Sequence, residues 1–401
     1  MNVNKDYGFS TLGIHAGEEA DQYGALIPPI YQTSTFSFKT TDDAAAACDH
    51  LEKGFAYSRI TNPSLDFFER KLAALEHGAG AVAFASGVGA ISAGFLTVLS
   101  SGDHIVASKA AYSATHHLLT SLLPRLGITS TLVDTSNLKA VEAAIKPNTK
   151  LIYFETPANP TMLLTDIEGI VAIAKANKLM TAVDNTFASP YVTNPLDFGV
   201  DYVVQSCTKY ICGHGDVIAG ALITKNTELL KDFRLEGLMH IGAVMAPNTA
   251  FLLTRGLKTL EIRMQRHISN AQKLAEFLES QENIVKVNYP GLPSNPQYEL
   301  AKRQMNGGGG VITFEVAGGL EGGKAFMNSL NLCKIAVSLG DCETLIEQPA
   351  SMTHTMVSPK DRLSADITDG LIRISVGLEN IDDIIGDIKQ ALEKGKLSIK
   401  N

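Results

Sequence analysis

Val203-Val204-Gln205-Ser206-Cys207-Thr208-Lys209-Tyr210 is an apolar run that closes on two hydroxyls and a single lysine. Residues 201–205 have the β-branched and aromatic content of a short buried strand. Five runs upstream have the same character, and each stops on a polar residue. They are Ala81-Val82-Ala83-Phe84-Ala85 before Ser86, His104-Ile105-Val106-Ala107 before Ser108, Ser130-Thr131-Leu132-Val133 before Asp134, Leu151-Ile152-Tyr153-Phe154 before Glu155, and Met180-Thr181-Ala182-Val183 before Asp184. Helical segments lie between them, as over 138–144 and 167–178. Strand, helix, strand repeated this often predicts an α/β fold, a parallel sheet with helices on both faces. Chemistry in such folds collects just past the carboxyl ends of the strands, where Lys209 stands.

Upstream of the first run, Leu65, Phe68, Leu72 and Leu75 mark an amphipathic helix over 64–76. Residues 1–60 show no strong period, and Ile27-Pro28-Pro29-Ile30 is extended, so this segment reads as an arm. An arm must bury Tyr31, Phe36 and Phe38 on something, and another subunit is one candidate. Downstream, a helix over 260–281 has Ala271, Leu274, Phe277 and Leu278 as its buried face. The domain boundary is placed just before it. Residues 61–256 form the large domain, and 257–401 a smaller α+β domain with strands over 311–316 and 371–376 and a closing helix over 381–393.

The 401 residues, 45% hydrophobic and 19% charged, are enough for two domains with sizeable cores. A net charge of -8 argues against a nucleic-acid or anionic-membrane partner. Residues 1–17 lack the apolar core of a signal peptide, and no segment reaches membrane-spanning length. Cys48, Cys207, Cys212, Cys333 and Cys342 are odd in number and lack metal-ligand spacing, so they read as reduced thiols in a cytoplasm. These features together describe a soluble intracellular enzyme.

A lysine amine held in a partly dry position can lose its proton near neutral pH and condense with an aldehyde. A Schiff base to pyridoxal phosphate is the natural use of Lys209; the plainer reading is a surface lysine after a core strand. Ser206 and Thr208 could bond phosphate or ring oxygens. Gly213, Gly215 and Gly220 would let the backbone approach a bulky cofactor. Asp184 could hold a pyridine nitrogen protonated, or it could serve as an N-cap or turn residue. The amides of Gly87 and Val88 should open a helix and could bind phosphate, although a strand-to-helix turn needs glycine in any case. In extended chain Tyr57 and Arg59 would point the same way and suit a phosphate; otherwise they are a core tyrosine and a surface arginine. Tyr112 could stack on a planar ring or simply pack. Arg373, central in an alternating strand, needs an anion, either a substrate carboxylate or an internal Asp or Glu. His116, His117 and His354 lack metal-site spacing and read as structural, and Cys207 reads as a small buried apolar residue.

Taken together the residues resemble the Cys/Met-metabolism family of pyridoxal-phosphate enzymes, which carries out trans-sulfuration chemistry. The likeness rests on Tyr57-Ser58-Arg59 with Asn62-Pro63, Ser86-Gly87, Glu155-Thr156-Pro157-Ala158-Asn159-Pro160, Val183-Asp184-Asn185-Thr186-Phe187-Ala188-Ser189-Pro190, Ser206-Cys207-Thr208-Lys209-Tyr210 with Gly213-His214, and Arg373 in its strand. It implies an aspartate-aminotransferase-like fold and a homo-oligomer, usually a tetramer built as a dimer of dimers. It implies that Lys209 carries the cofactor and later moves protons, and that Asp184 holds the ring nitrogen. Gly87, Val88, Ser206 and Thr208 would bind the phosphate, with Tyr57 and Arg59 reaching it from a neighbouring subunit. Tyr112 would stack on the ring and protonate the leaving group, and Arg373, helped by Ser338 and Asn159, would fix the substrate carboxylate.

Within the family, Val337-Ser338-Leu339-Gly340-Asp341, Pro349-Ala350-Ser351-Met352-Thr353-His354 and Ile367-Thr368-Asp369-Gly370-Leu371-Ile372-Arg373 are most similar to the methionine γ-lyases. That resemblance implies γ-elimination on a sulfur amino acid, with γ-replacement on an O-acylhomoserine or a cystathionine lyase activity as alternatives. Ala114 stands where methionine γ-lyases usually have cysteine, and Met239-His240 where they have a Lys-Asp pair.

Overall fold

A computed structural model describes residues 7–49, 54–353, 355, 358–364 and 366–399; His354 lies outside them. The six runs form β1 (Gly80–Phe84), β2 (His104–Ser108), β3 (Thr129–Val133), β4 (Thr149–Glu155), β5 (Met180–Asp184) and β6 (Tyr202–Gln205). A seventh strand, β7 (Gly220–Thr224), enters between β1 and β6, so the order is β1-β7-β6-β5-β4-β2-β3. It runs antiparallel to both neighbours, so the sheet is mostly parallel, as expected, with one reversed strand. The cause is the connection: residues 206–219 hold no helix to carry a crossover, so the chain turns back on itself. β1 remains parallel to β6, and the carboxyl ends of β1, β4, β5 and β6 therefore share one edge.

Alternation along the strands feeds two cores. Val106, Ile152, Phe154, Val183 and Val203 pack on one face of the sheet; Ile105, Leu151, Tyr153, Ala182 and Val204 pack on the other. The helix Pro63–Leu75 starts with proline at its first position, and the Asn62 side chain accepts the Ser64 amide. At the end of β1 the Ser86 hydroxyl accepts the Gly89 amide and opens the helix Gly87–Val98.

The second sheet has β8 (Ile284–Asn288), β9 (Val311–Val316), β10 (Lys334–Ile335), β11 (Leu345–Glu347) and β12 (Leu371–Ser375), in the order β10-β11-β12-β9-β8. The helix Leu260–Glu279 joins the two cores. Its Leu260 and Met264 belong to the large-sheet cluster, and its Ala271, Leu274 and Leu278 to the small-sheet cluster. The helix Phe9–His15 packs on its own chain, with Leu12 in the large core and the Lys71 ammonium donating to the carbonyls of Gly13 and Ile14 at 2.9 Å. Beyond it the chain is exposed, with Tyr23 and Leu26 almost wholly open. Among the described residues no helix is long and apolar enough to cross a membrane.

Candidate active site

The shared edge of the large sheet borders a cavity of about 390 Å³ that residues of the second sheet, Glu347 and Arg373, also line. Gly87 and Val88 line it from the end of β1, Glu155 from β4, Asp184 from β5, and Ser206, Thr208 and Lys209 from the end of β6. Tyr112, Asn159, Ser338 and Arg373 line it as well. Ten of the twelve residues singled out from the sequence thus meet in one place. Tyr57 and Arg59 are the exceptions. They lie in a turn, because the Ile60 amide bonds the Tyr57 carbonyl, so the extended geometry expected of them is not adopted. The Arg59 guanidinium stands 5.3 Å from the Tyr57 ring centroid and donates to the Met239 carbonyl at 2.6 Å.

The Lys209 amine is 2.8 Å from the Ser338 hydroxyl. Burial, with the Arg373 guanidinium behind it, holds the amine below the usual lysine range; Asp341 and Glu347 oppose the shift. Asp184 accepts the Thr186 amide at 3.0 Å and pairs with no cation among the described residues, and burial raises its carboxyl. The Ser206 amide donates to the Thr186 hydroxyl at 2.8 Å, and Ser206 lines the cavity. The Thr208 hydroxyl is engaged otherwise: it donates to the Ala219 carbonyl at 3.1 Å and accepts the Ala219 amide at 3.0 Å.

Of the two anions open to Arg373 from sequence, the internal one is present. Glu347, its register partner across β11 and β12, places a carboxylate oxygen 3.1 Å from Nη1. Asn159 accepts from Nη1 at 2.9 Å and the Ser338 carbonyl from Nη2 at 2.7 Å. The Nε–H of Arg373 is buried with no partner among the described residues. One edge of the guanidinium is thus locked, and its Nε–H remains free for a further anion.

Sequence reasoning missed Glu347 and gave no role to Glu155, although Glu155 closes an apolar run as Asp184 does. It also misplaced the glycines. A Cβ on Gly213 would meet the Arg263 guanidinium at 2.0 Å, one on Gly215 the Asp341 carboxyl at 3.2 Å, and one on Gly220 the Ser86 carbonyl at 2.3 Å. They serve close approach within the protein. Cys207 is fully buried in the core. Ala114 sits on the helix Ser113–His117, and His240 pairs with Glu236 at 2.9 Å; neither Ala114 nor Met239-His240 lines the cavity.

The cavity suits a phosphorylated pyridine aldehyde. At one end the Gly87 and Val88 amides open a helix of twelve residues with no partner among the described residues, and a side chain on Gly87 would crowd Ser206 at 2.9 Å. An unpaired carboxyl, Asp184, and an amine of lowered basicity, Lys209, complete the donor set such a molecule needs.

Comparison with known proteins agrees. Residues 10–393 match the model of the Cys/Met metabolism PLP-dependent enzymes. The chain is 51% identical over 392 residues to the L-methionine gamma-lyase of Fusobacterium nucleatum subsp. polymorphum, covering 97% of this chain and 99% of that one. It is 51% identical over 388 residues to the L-methionine gamma-lyase of Porphyromonas gingivalis, covering 96% and 97%. Its structure superposes with a TM-score of 0.91 on cystathionine gamma-lyase from Lactobacillus plantarum complexed with L-serine, at 42% identity and covering 97% of this chain and 100% of that one. With the cavity's donor set and a match over nearly its whole length, the chain belongs to the Cys/Met metabolism family of pyridoxal-phosphate-dependent enzymes.

Proposed function

We propose that this chain is a methionine γ-lyase, which with water splits methionine into methanethiol, 2-oxobutanoate and ammonia. One observation carries the choice of substrate. Apart from Glu155, Asp184, Lys209, Glu347 and Arg373 the cavity lining is uncharged, and it includes the apolar Ile218, Val337 and Leu339. That apolar lining suits a thioether and offers nothing to a second charged head. The similarity to proteins named L-methionine gamma-lyase supports the same reading.

Pyridoxal phosphate supplies an aldehyde for the amino group and a ring that accepts the electron pair left when Cα loses its proton. The rest is the work of this chain. The Gly87 and Val88 amides and the Ser206 hydroxyl bind the phosphate; Thr208 joins them if its proton turns from Ala219. Asp184 keeps its negative charge at the ring nitrogen. Arg373 takes the α-carboxylate at its free Nε–H edge, with Asn159, Ser338 and Glu347 fixing the other. The Lys209 amine, neutral more readily than a surface lysine, takes the Cα proton and then serves at Cβ. The Tyr112 hydroxyl delivers a proton to the departing sulfur. Tyr57 and Arg59 reach the phosphate of a second copy, residues 1–60 form the arm between copies, and the assembly is a cytoplasmic tetramer of two such dimers. The exposed Tyr23, Leu26, Ile27, Ile30 and Tyr57 support that contact.

The test is a substrate panel on purified holoprotein. Methionine should yield 2-oxobutanoate faster than cystathionine does. No 2-oxobutanoate from methionine, homocysteine or cystathionine sinks the lyase reading. Consumption of an O-acylhomoserine only in the presence of a thiol would assign the γ-replacement activity instead.

A further inference from the structure

Glu155 and Asp184 are register partners at the ends of the parallel strands β4 and β5, so both carboxyls leave the sheet on the same face. Glu155 is 5% exposed. Its Oε1 accepts two bonds, one from the Tyr112 backbone amide at 2.8 Å and one from the Tyr153 hydroxyl at 3.2 Å. Asp184 and Thr115 are further polar neighbours of the Tyr153 hydroxyl. The groups facing Glu155 are therefore Asp184 from β5, Tyr153 from its own strand, and Tyr112 from the segment ahead of the helix Ser113–His117. Among the described residues no lysine, arginine or histidine pairs with either carboxyl.

Two adjacent buried anions without a cation repel each other and lose their hydration, so one carboxyl keeps a proton. Of the two, Glu155 is the one that the neighbouring charge bears against, so it takes the proton. Asp184 receives the Thr186 amide at 3.0 Å, and such a bond favours the charged form. Glu155 receives both of its bonds on one oxygen, as a carbonyl would, and its second oxygen is left for the proton. Burial first, and Asp184 next, push Glu155 up to about 8.

We propose that Glu155 is a positioning residue that works as a neutral carboxylic acid: it holds the Tyr112 backbone at the cavity and, by keeping the proton of the strand-end pair, leaves the negative charge on Asp184. This rests on the lyase reading for the roles of Asp184 and Tyr112, whereas the protonation itself is a property of the cofactor-free protein.

The experiment has two arms. Apoprotein carrying a glutamate-specific ¹³C carboxyl label is examined by infrared spectroscopy near neutral pH. A label-shifted band of a protonated carboxyl should be present and should lose intensity in Glu155→Gln. A labelled band unchanged by that substitution overturns the proposal, because the proton then sits elsewhere. In the second arm, Glu155→Gln, which keeps the accepting oxygen and the neutral charge, should hold kcat within about threefold of wild type, while Glu155→Ala should lower it about tenfold or more. Equal impairment of the two variants means that an ionised oxygen is required and overturns the proposal. Should Glu155→Ala fail to fold, the first arm and a near-wild-type Glu155→Gln still decide. If wild type has no lyase activity, the infrared arm alone tests the protonation, so the two failures are distinguishable.

Discussion

Glu76, fully buried at the end of the helix Pro63–Leu75, supports the active edge from below, and its removal as a charge has a calculable effect. Its Oε1 accepts from the Gln205 side chain at 2.6 Å and from the Asn185 side chain at 3.3 Å, while its second oxygen has no partner among the described residues. Gln205 precedes Ser206 and Asn185 follows Asp184, so one carboxyl braces two strand ends. Burial pushes it up from 4.5 to about 7, against the bonds from Gln205 and Asn185. A carboxyl raised in the folded state stabilises the fold fully below its unfolded value, and that contribution fades as pH rises through the folded value. Between about pH 5.5 and about pH 8, wild type should lose roughly 2 kcal/mol through this group alone. Glu76→Gln keeps the accepting oxygen and cannot ionise. Urea unfolding of the apoproteins at both pH values should therefore show the variant gaining about 2 kcal/mol on wild type from the lower pH to the higher. A fixed penalty from the new amide protons cancels in that difference. Curves that stay parallel within about 0.5 kcal/mol would refute the reasoning.

Three further outcomes follow from the geometry. Lys209→Ala should fold with an unchanged circular dichroism spectrum yet show no borohydride-fixed cofactor by mass spectrometry; cofactor fixed on another residue would displace Lys209 from its role. Arg59→Ala should weaken cofactor binding by about tenfold, roughly 1.4 kcal/mol, in a titration of the apoprotein. An unchanged dissociation constant would mean that Arg59 reaches no phosphate. Gly220→Ala drives a Cβ to 2.3 Å from the Ser86 carbonyl, so its urea midpoint should report a loss of about 1–3 kcal/mol; a midpoint equal to wild type would mean that the two segments separate freely.

The six strands were legible because each is a short apolar run closed by a polar residue, and that pattern is local. β7 was not: it opens on glycine and alanine, and its direction follows from a missing helix rather than from its own residues. The cavity residues were legible one at a time as unusual polar groups at strand ends. Glu347 was not, since it meets Arg373 only across the second sheet. The glycines after Lys209 show the same limit. Sequence tells that a side chain is unwelcome there, and only the fold tells that Arg263, Asp341 and Ser86 are what it would strike. The turn at Tyr57 to Ile60 and the engagement of Thr208 with Ala219 are likewise set by hydrogen bonds that no residue pattern announces.

Ser338 shows how the two sheets combine at one cavity. Its φ of +94° is a backbone conformation that side chains rarely adopt, with a cost on the order of 1–3 kcal/mol. Three bonds hold it there: its hydroxyl with the Lys209 amine at 2.8 Å, its carbonyl with Arg373 Nη2 at 2.7 Å, and the nearby Gly340 amide with the Ser375 hydroxyl at 2.9 Å. Lys209 belongs to the large sheet's edge, whereas Arg373 and Ser375 belong to β12. The strained residue is thus the point that holds both the amine and the guanidinium. Relaxing it would move both groups relative to the large sheet. The distance between amine and guanidinium is therefore fixed by how the second sheet packs against the first, and the helix Leu260–Glu279 contributes to the cores of both.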